Sequence, residues 1–279
     1  MTRAAHVPSL PSTGAPVSVL VDYDGTVSRR DVGDLLLERH VADQALVRTM
    51  EDAYKDGLIG SRDLTRWDME VLPRDAALLR REAAGIPQDE TFPSFVRSVR
   101  ATGALVEVVS DGLGFYVASN LVRLDPSLVD VPVATNVNRV DGPEGVSFPY
   151  GHPACLVCGT CKRERVWLHG AGGRAVVFVG DGTSDRYAAH HADVVFARDS
   201  LLAWGRATGR HFIAWERFGE IEAWFEEALR DGRLPAAHAD LPAWRATHRP
   251  EIPGFVCGPE VWGEGRTVPG PAPDLSGEG

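Results

Sequence analysis

Short apolar runs alternate along the chain with longer amphipathic stretches. Three of these runs are rich in β-branched residues and too short for helices, which predicts buried parallel strands at Val17–Val21, Ala104–Val109 and Ala175–Val179. Shorter strands are predicted at Asp193–Phe196 and His211–Trp215. Strands that alternate with helices predict an α/β fold of three layers, in which a parallel sheet lies between two layers of helices.

The stretch between the first two strands is helical in pattern throughout. Helices are predicted to begin at Asp31 and to cover Gln44–Tyr54, Ser61–Leu72 and Asp75–Ala84. Roughly sixty residues exceed an ordinary crossover between neighbouring strands. We therefore predict a small helical cap, residues 31–90, inserted after the first strand of a core that consists of residues 17–30 and 91–241.

The remaining helices are predicted in the core. They follow the same amphipathic pattern at Thr91–Ala101, Leu113–Arg123, Lys162–His169 and Phe218–Leu229, and Val131–Asn136 and Val146–Phe148 are read as short strands. Residues 1–16 and 242–279 are rich in proline and glycine, which predicts a flexible lead-in and a loosely held tail.

The charge of the chain limits its partners. A net charge of −10 over 279 residues argues against nucleic acid and anionic membranes, which both require a basic surface. No apolar run reaches membrane-spanning length, and the first twenty residues lack the pattern of a secretory signal. Three of the four cysteines lie within seven residues, unlike a disulfide framework, so we expect a reducing cytoplasm.

Small polar residues follow each of the three long strands. Asp22 and Asp24 follow the first strand, Ser110-Asp111-Gly112 the second and Asp181 and Asp185 the third. Ligands of open α/β sheets bind outside the carboxyl ends of the strands, so we expect these residues to meet there. The acidic pair can hold a hard cation, or can supply a carboxylate nucleophile and a separate acid/base.

This set of residues suits phosphoryl transfer. Asp22 and Asp181 can supply the carboxylates of a Mg²⁺ site, and Lys162, at the start of a predicted helix, can neutralise a phosphate oxygen. Ser110 and the backbone N–H groups of Asp111 and Gly112 can donate hydrogen bonds to the phosphate. The expected partner is a small phosphorylated molecule.

Four segments in this order resemble the haloacid dehalogenase superfamily phosphatases: Asp22-Tyr-Asp-Gly-Thr26, Ser110-Asp-Gly112, Lys162 and Gly180-Asp-Gly-Thr-Ser-Asp185. The resemblance implies a Rossmann-like core, an aspartyl-phosphate on Asp22 and a proton carried by Asp24. It also implies a Mg²⁺ ion held by Asp22, the carbonyl of Asp24 and Asp181, with Asp185 as a ligand or a supporting residue. A helical insert after the first motif resembles the phosphoserine phosphatase-like branch.

A finer resemblance points to two groups of substrates. Ser110-Asp-Gly-Leu-Gly-Phe-Tyr116, Cys158-Gly-Thr-Cys-Lys162 and Asp193-Val-Val-Phe-Ala-Arg198 are similar to methionine-salvage phosphatases that act on 2-hydroxy-3-keto-5-methylthiopentenyl 1-phosphate. The cysteine segment also resembles phosphoethanolamine/phosphocholine phosphatases. Gly114 stands where an acidic residue is expected in the salvage enzymes.

Several alternatives stay open on the sequence. A phosphomutase or phosphotransferase acting on a sugar phosphate, or a binding protein without activity, would carry similar motifs. Asp185 and Asp31 could each cap a helix. His152, Cys155, Cys158 and Cys161 are ligand types for Zn²⁺, but four ligands within ten residues are geometrically awkward, and we expect this segment to position Lys162.

Overall fold

The computed structural model describes residues 17–140, 145–152, 155 and 157–234. The predicted lead-in (residues 1–16) and tail (residues 242–279) lie outside the described residues. Within them, no helix combines the length and the apolar character needed to cross a bilayer.

The described residues form eight strands. In chain order they are β1 (Val17–Val21), β2 (Leu105–Val109), β3 (Val133–Ala134), β4 (Val137–Asn138), β5 (Val146–Ser147), β6 (Ala175–Gly180), β7 (Val194–Ala197) and β8 (Ile213–Ala214). Six of them form a parallel sheet in the order β3-β2-β1-β6-β7-β8, and β4 pairs with β5 in an antiparallel ribbon. The predicted parallel α/β sheet is confirmed.

Ten α-helices accompany these strands. They are α1 (Val32–His40), α2 (Gln44–Lys55), α3 (Ser61–Val71), α4 (Ala76–Ala84), α5 (Phe92–Ala101), α6 (Val117–Leu124), α7 (Lys162–Ala171), α8 (Arg186–Ala189), α9 (Asp199–Ala207) and α10 (Phe218–Arg230). Three of these helices, α1, α2 and α4, have an aspartate as N-cap residue. The capping carboxylates accept backbone N–H groups of the first turn at 2.9–3.1 Å, and they belong to Asp31, Asp43 and Asp75.

Two predictions for the segment after β2 were wrong in detail. Helix α6 begins at Val117, not at Leu113, because residues 114–116 form a turn, from which the Tyr116 hydroxyl reaches Asp24. Of the strand predicted over Val131–Asn136, only Val133–Ala134 is formed, as β3, and β4 begins just beyond the predicted range and belongs to a different sheet. Asn136 lies between the two strands, and its side-chain amide donates to the carbonyl of Asp111 at 2.9 Å.

The central strand β1 is buried over its whole length and pairs with a strand on each side. Its alternate side chains enter two apolar clusters on opposite faces of the sheet. Val19 and Val21 belong to a cluster that continues into α1 and α4 through Leu36 and Leu79, whereas Leu20 packs with a second cluster. The apolar packing of the sheet therefore extends into the four helices α1–α4, which we call the cap.

The chain enters and leaves the cap at adjacent points. Ser28 and Gln88 form an antiparallel bridge, and the N–H of Arg29 donates to the carbonyl of Pro87 at 2.8 Å. The N–H of Asp89 donates to the carbonyl of Val27, also at 2.8 Å. These bonds hold together the two connections between the cap and the rest of the chain.

Candidate active site

The carboxyl ends of β1, β2 and β6 lie side by side at one edge of the sheet. Val21, the last residue of β1, is in register with Val108 of β2 and with Val179 of β6. The polar residues that follow these strands are consequently neighbours. They border a cavity of about 260 Å³, which is lined on this side by Asp22, Asp24, Asp111, Gly112, Lys162 and Asp181.

Lys162 joins two carboxylates that come from different strands. Its Nζ lies 2.6 Å from Oδ1 of Asp22 and 2.7 Å from Oδ1 of Asp185, and all three residues are buried. Although burial opposes its charge, Asp185 and Asp22 raise the pKa of Lys162. Burial and the nearby Asp185 raise the pKa of Asp22 well above its ordinary value, against the effect of Lys162. The lysine is therefore held charged beside the carboxylate that the sequence singles out as nucleophile.

Asp185 is held by the loop that precedes it. Its Oδ2 accepts the backbone N–H groups of Asp181 and Gly182, both at 2.9 Å, while Oδ1 accepts from Lys162. The carboxylate makes no capping hydrogen bond to α8, so that alternative reading of Asp185 was wrong. Both of its oxygens have donors, and Asp185 fixes the positions of Lys162 and of the Asp181 loop.

Asp181 faces the first motif. The hydroxyl of Thr26 donates to its Oδ1 at 2.7 Å. Gly25 has a φ of +72°, and a Cβ at this position would collide with the carboxylate of Asp181, so glycine is required for the approach. Arg198 also donates to the carbonyls of Gly25 and Thr26. Burial and Asp185 raise the pKa of Asp181 to about 7.

Asp24 occupies a different environment from Asp22. Its Oδ1 accepts the hydroxyl of Tyr116 at 2.8 Å and the N–H of Val32 at 3.2 Å, and its Oδ2 accepts the hydroxyl of Ser110 at 3.3 Å. Burial and the charge of Asp31 raise the pKa of Asp24 to about 8, although the bond from Tyr116 opposes the shift. A carboxyl group with this pKa keeps its proton at neutral pH and can act as an acid.

The three residues after β2 have separate contacts. Ser110 is buried and does not line the cavity. Its hydroxyl accepts the N–H of Gly112 at 3.3 Å and donates to Asp24. Asp111 accepts from Ser61 of the cap at 2.5 Å and from the N–H of Thr160 at 2.6 Å. The loop after β2 therefore joins the cap to the segment before α7.

A group of three carboxylates fits a divalent cation. Ligand oxygens of Asp22, Asp181 and Asp185 lie within 4.8 Å of one another, and hard oxygen donors of this kind suit Mg²⁺. With both oxygens of Asp185 engaged, Asp22 and Asp181 supply the available ligand atoms. This agrees with the preference of Mg²⁺ for one or two carboxylates together with water and phosphate oxygens.

The cysteine segment positions the beginning of α7. Cys161 is the N-cap residue, and its Sγ accepts the N–H of Glu164 at 3.4 Å, which starts the helix at Lys162. Cys155, Cys158 and Cys161 are buried, and none of them is in a disulfide among the described residues. In the part of the chain that the structure describes, these cysteines and His152 do not form a group of converging metal ligands.

Several contacts were not identified from the sequence. Tyr116 and Thr26 lie in motifs that were recognised, but their bonds to Asp24 and Asp181 were not expected. Arg198 had no role assigned. On the cap side, Asp68 lines the cavity together with Ser61 and Thr65. Ser61 and Thr65 are four residues apart and Thr65 and Asp68 three, a spacing that places all three on one face of a helix and could have revealed a polar face in the sequence.

Known proteins resemble this chain over most of its length. A family model described as haloacid dehalogenase-like hydrolase matches residues 19–190. A 2-hydroxy-3-keto-5-methylthiopentenyl-1-phosphate phosphatase of Exiguobacterium sp. strain AT1b is 27% identical over 216 residues, which cover 75% of this chain and 96% of that protein. Its counterpart in Bacillus velezensis strain FZB42 is 24% identical over 237 residues, which cover 78% and 97% of the two chains.

The fold is shared with solved phosphoserine phosphatases. A substrate-bound phosphoserine phosphatase complex superposes with a TM-score of 0.54 at 16% identity and covers 78% of this chain and 99% of that one. A phospho-aspartyl intermediate analogue of phosphoserine phosphatase gives a TM-score of 0.53 at the same identity and coverage. These superpositions confirm the predicted Rossmann-like architecture.

Proposed function

The chain belongs to the haloacid dehalogenase-like hydrolases, and from this premise we propose that it is a magnesium-dependent phosphomonoesterase that acts on a small phosphorylated metabolite. The observation that supports the proposal most directly is the different setting of two carboxylates beside one cavity. Asp22 lies against Lys162, while Asp24 is held by Tyr116 and has its pKa raised to about 8. One carboxylate is suited to attack, and the other to carry a proton.

In the first step, a carboxylate oxygen of Asp22 attacks phosphorus and the bond to the leaving oxygen breaks. Asp24 gives its proton to that oxygen, so the product leaves as a neutral alcohol and Asp22 carries the phosphoryl group. In the second step, Asp24 takes a proton from water while the water oxygen attacks phosphorus. The bond to Asp22 breaks, inorganic phosphate is released and both carboxyl groups return to their starting states.

Phosphate oxygens are assigned to the donors at the same edge of the sheet. Lys162 would neutralise one of them, and Ser110 together with the backbone N–H groups of Asp111 and Gly112 would donate to the others. The hydroxyl of Ser110 donates to Asp24 in the structure. In the proposed complex this hydroxyl would turn from Asp24 to the phosphate.

Asp22, Asp181 and the carbonyl of Asp24 are the proposed holders of the metal, with Asp185 keeping Lys162 and the Asp181 loop in place. Mg²⁺ bound there would neutralise charge on the phosphoryl oxygens. The residues themselves favour such an ion, because burial and like charges raise the pKa values of Asp22 and Asp181.

The cap is proposed as the part that selects the substrate. Residues 31–90 would cover a catalytic core formed by residues 17–30 and 91–241, and a cavity of about 260 Å³ admits only a small molecule. The first substrates to test are 2-hydroxy-3-keto-5-methylthiopentenyl 1-phosphate, after the names of the relatives, and phosphoserine, after the solved structures of similar fold. Phosphoethanolamine is the third, after the resemblance of the cysteine segment. We expect the protein to work in a reducing cytoplasm, since Cys155, Cys158 and Cys161 are buried and form no disulfide among the described residues.

The test is the substitution Asp22→Asn, assayed by phosphate release from p-nitrophenyl phosphate in the presence of Mg²⁺. We expect activity to fall by about a thousandfold or more, because an amide does not form the acyl phosphate. Circular dichroism should show an intact fold, and Asp52→Asn, on the exposed side of α2, is the matched control that should keep full activity. Turnover like that of the parent in Asp22→Asn would overturn the mechanism.

A further inference from the structure

Asn136 is a buried amide that the function proposed above does not use. It follows β3, is only 1% exposed and lies between the loop after β2 and the segment that leads into α7. Its Nδ2 donates to the carbonyl of Asp111 at 2.9 Å and to the carbonyl of Gly112 at 3.0 Å. The NH₂ end of an amide is the end that can face two carbonyl oxygens, so these bonds determine which way the side chain is turned.

The bond to Asp111 also determines where the next backbone N–H points. The carbonyl of Asp111 and the N–H of Gly112 belong to one planar trans peptide group, in which they point in opposite directions. Because Asn136 holds the carbonyl on one side, the N–H of Gly112 is directed to the other side, where it lies 3.3 Å from the hydroxyl oxygen of Ser110. This N–H and this hydroxyl are two of the donors assigned to phosphate above.

The oxygen of the same amide contacts the segment before Lys162. The hydroxyl of Thr160 donates to Oδ1 of Asn136 at 3.2 Å, and the backbone N–H of Thr160 donates to the carboxylate of Asp111 at 2.6 Å. Thr160 is buried and comes two residues before Lys162, the first residue of α7. Asn136 thus contacts both sides of the proposed phosphate site, the loop with the backbone donors and the segment that leads to the lysine.

Two glycines allow the chain to pack closely around this amide. A Cβ at Gly159 would lie 2.5 Å from Oδ1 and 2.7 Å from Nδ2 of Asn136, and a Cβ at Gly114 would collide with the backbone carbonyl of Asn136. A side chain at either position would therefore displace Asn136. The close approach is a physical reason for the glycine at position 114, where the sequence resemblance leads one to expect an acidic residue.

We propose that Asn136 is a positioning residue of the phosphate site, which sets the direction of the Gly112 N–H and the place at which α7 presents Lys162. The proposal rests on the phosphatase function and adds to it a residue that does not line the cavity. Donors that are aimed at the phosphoryl group before the reaction need no rearrangement during it, so their alignment affects the rate.

Asn136→Asp tests the proposal, because an aspartate has the same shape but offers at most one O–H donor for the two carbonyls. We expect kcat/KM for p-nitrophenyl phosphate to fall about tenfold to a hundredfold through misalignment of the donors. The dissociation constant of inorganic phosphate, measured by titration calorimetry with Mg²⁺ present, should rise about fivefold or more because the same donors bind it.

Asn138→Asp is the matched control. Asn138 is also buried, but its Oδ1 accepts the N–H of Gly114 at 2.7 Å, and its Nδ2 has no hydrogen-bond partner among the described residues. An aspartate keeps the accepted bond and removes no donated one. Both kcat/KM and the dissociation constant of phosphate should therefore stay within about twofold of the parent values.

Melting temperatures separate positioning from a purely structural role. An amide that only stabilised the fold would, on substitution, lower the melting temperature while the folded protein kept the kcat/KM and the phosphate affinity of the Asn138→Asp control. That result would overturn the proposal.

Thr160→Val decides the matter if Asn136→Asp does not fold. This change removes the hydroxyl that donates to Asn136 and keeps the backbone N–H that donates to Asp111. The dissociation constant of phosphate should rise about threefold, since one hydrogen bond that holds the amide is lost. A phosphate affinity and a kcat/KM equal to those of the parent would overturn the proposal.

The failure of this proposal can be distinguished from the failure of the phosphatase function. Hydrolysis of p-nitrophenyl phosphate by the parent, with the same constants in Asn136→Asp, would leave the phosphatase function intact and overturn the role of Asn136 alone. A parent protein that neither hydrolyses the ester nor binds inorganic phosphate in the presence of Mg²⁺ would contradict the phosphatase function, and with it the role inferred here.

Discussion

The hydroxyl of Tyr116 donates a hydrogen bond of 2.8 Å to Oδ1 of Asp24. The bond joins the turn after β2 to the motif after β1 and fixes the direction of the carboxyl group that we propose as the proton carrier. It also favours the ionised form of Asp24, since a donor stabilises the carboxylate more than the acid. Tyr116 thus opposes the burial and the charge of Asp31 that raise the pKa of Asp24 to about 8.

Tyr116→Phe is expected to shift the pH profile of the enzyme. In the proposed mechanism Asp24 must be protonated to donate to the leaving group, so kcat/KM should fall as the pH rises through its pKa. Loss of the hydroxyl raises that pKa, and the alkaline limb should move to higher pH while kcat falls about threefold to tenfold through poorer alignment. The measurement is kcat/KM against pH.

Tyr23→Phe is the matched control for this change. The hydroxyl of Tyr23 donates to Gln88 at 3.3 Å and not to Asp24, so its removal should leave the alkaline limb in place. An alkaline limb at the same pH in Tyr116→Phe and in the parent would contradict the role assigned to the bond.

Mg²⁺ is expected to stabilise the fold through Asp181. Binding only to the folded state at about 100 times the dissociation constant contributes about 2.7 kcal/mol and should raise the melting temperature by about 5 °C or more. Asp181→Asn should abolish the shift, and Asp52→Asn should retain it. A shift of full size in Asp181→Asn would place the metal elsewhere.

Without metal, the free energy of unfolding should decrease as the pH rises through neutrality. Burial and Asp185 raise the pKa of Asp181 to about 7, so the folded state prefers the protonated group. The stability associated with this group is complete below its unfolded pKa of about 4 and is lost as the pH rises through 7. Urea unfolding without Mg²⁺ should show the decrease, and Asp181→Asn should reduce it.

Lys162→Met should affect stability as well as activity. The methionine leaves Asp22 and Asp185 buried side by side without the cation that lies 2.6 and 2.7 Å from them. Removal of one partner of a buried ion pair costs about 3–5 kcal/mol in unfolding free energy. Chemical denaturation measures the loss, and Lys55→Met, at an exposed pair in the cap, should cost about 1 kcal/mol or less.

A further structural prediction concerns Glu107 in the middle of β2. Its carboxylate accepts from Arg165 and from His169, both at 2.8 Å and both on α7, and the three side chains are buried. Although burial opposes ionisation, His169 and Arg165 lower the pKa of Glu107. Glu107→Gln should therefore destabilise the protein by about 3 kcal/mol at neutral pH.

The decrease in unfolding free energy caused by Glu107→Gln should depend on pH. A carboxyl group with a lowered folded pKa contributes stability above its unfolded pKa and loses it as the pH falls through the folded value. The difference from the parent should accordingly shrink below about pH 4. A difference that does not change between neutral and acidic pH would show that packing rather than charge is responsible.

Most of the fold follows from apolar runs in the sequence. Strands β1, β2 and β6 are buried on both faces, so their sequences are largely apolar, with Ser18 and Glu107 as exceptions, and their positions are clear. A helix was expected after Asp185, but the bounds of α8 were not predicted, because a helix of one turn has too few positions to show a period. The start of α6 was misplaced because the bond from Tyr116 to Asp24 decides it, and that bond joins residues 92 positions apart.

The part of the candidate site that could be predicted follows from one rule, that the carboxyl ends of parallel strands lie at the same edge of a sheet. That rule brings Asp22, Ser110 and Asp181 to one edge without knowledge of any contact. The bond from Thr26 to Asp181 and the position of Asp68 depend on packing between segments that are distant in sequence. Amphipathic patterns alone show which face of a helix is buried, but not that a cavity lies beneath it.

The bridge between Ser28 and Gln88 has a consequence for how such chains diversify. Because the two connections of the cap are tied to each other next to the sheet, the core already holds its ends together whatever lies between them. Insertion, shortening or exchange of residues 31–86 would change the closure entropy only slightly, since that cost grows with the logarithm of length. Exchange of a cap segment at this junction would therefore need no new closure of its ends, but it would have to reproduce the bonds from Val32 to Asp24 and from Ser61 to Asp111.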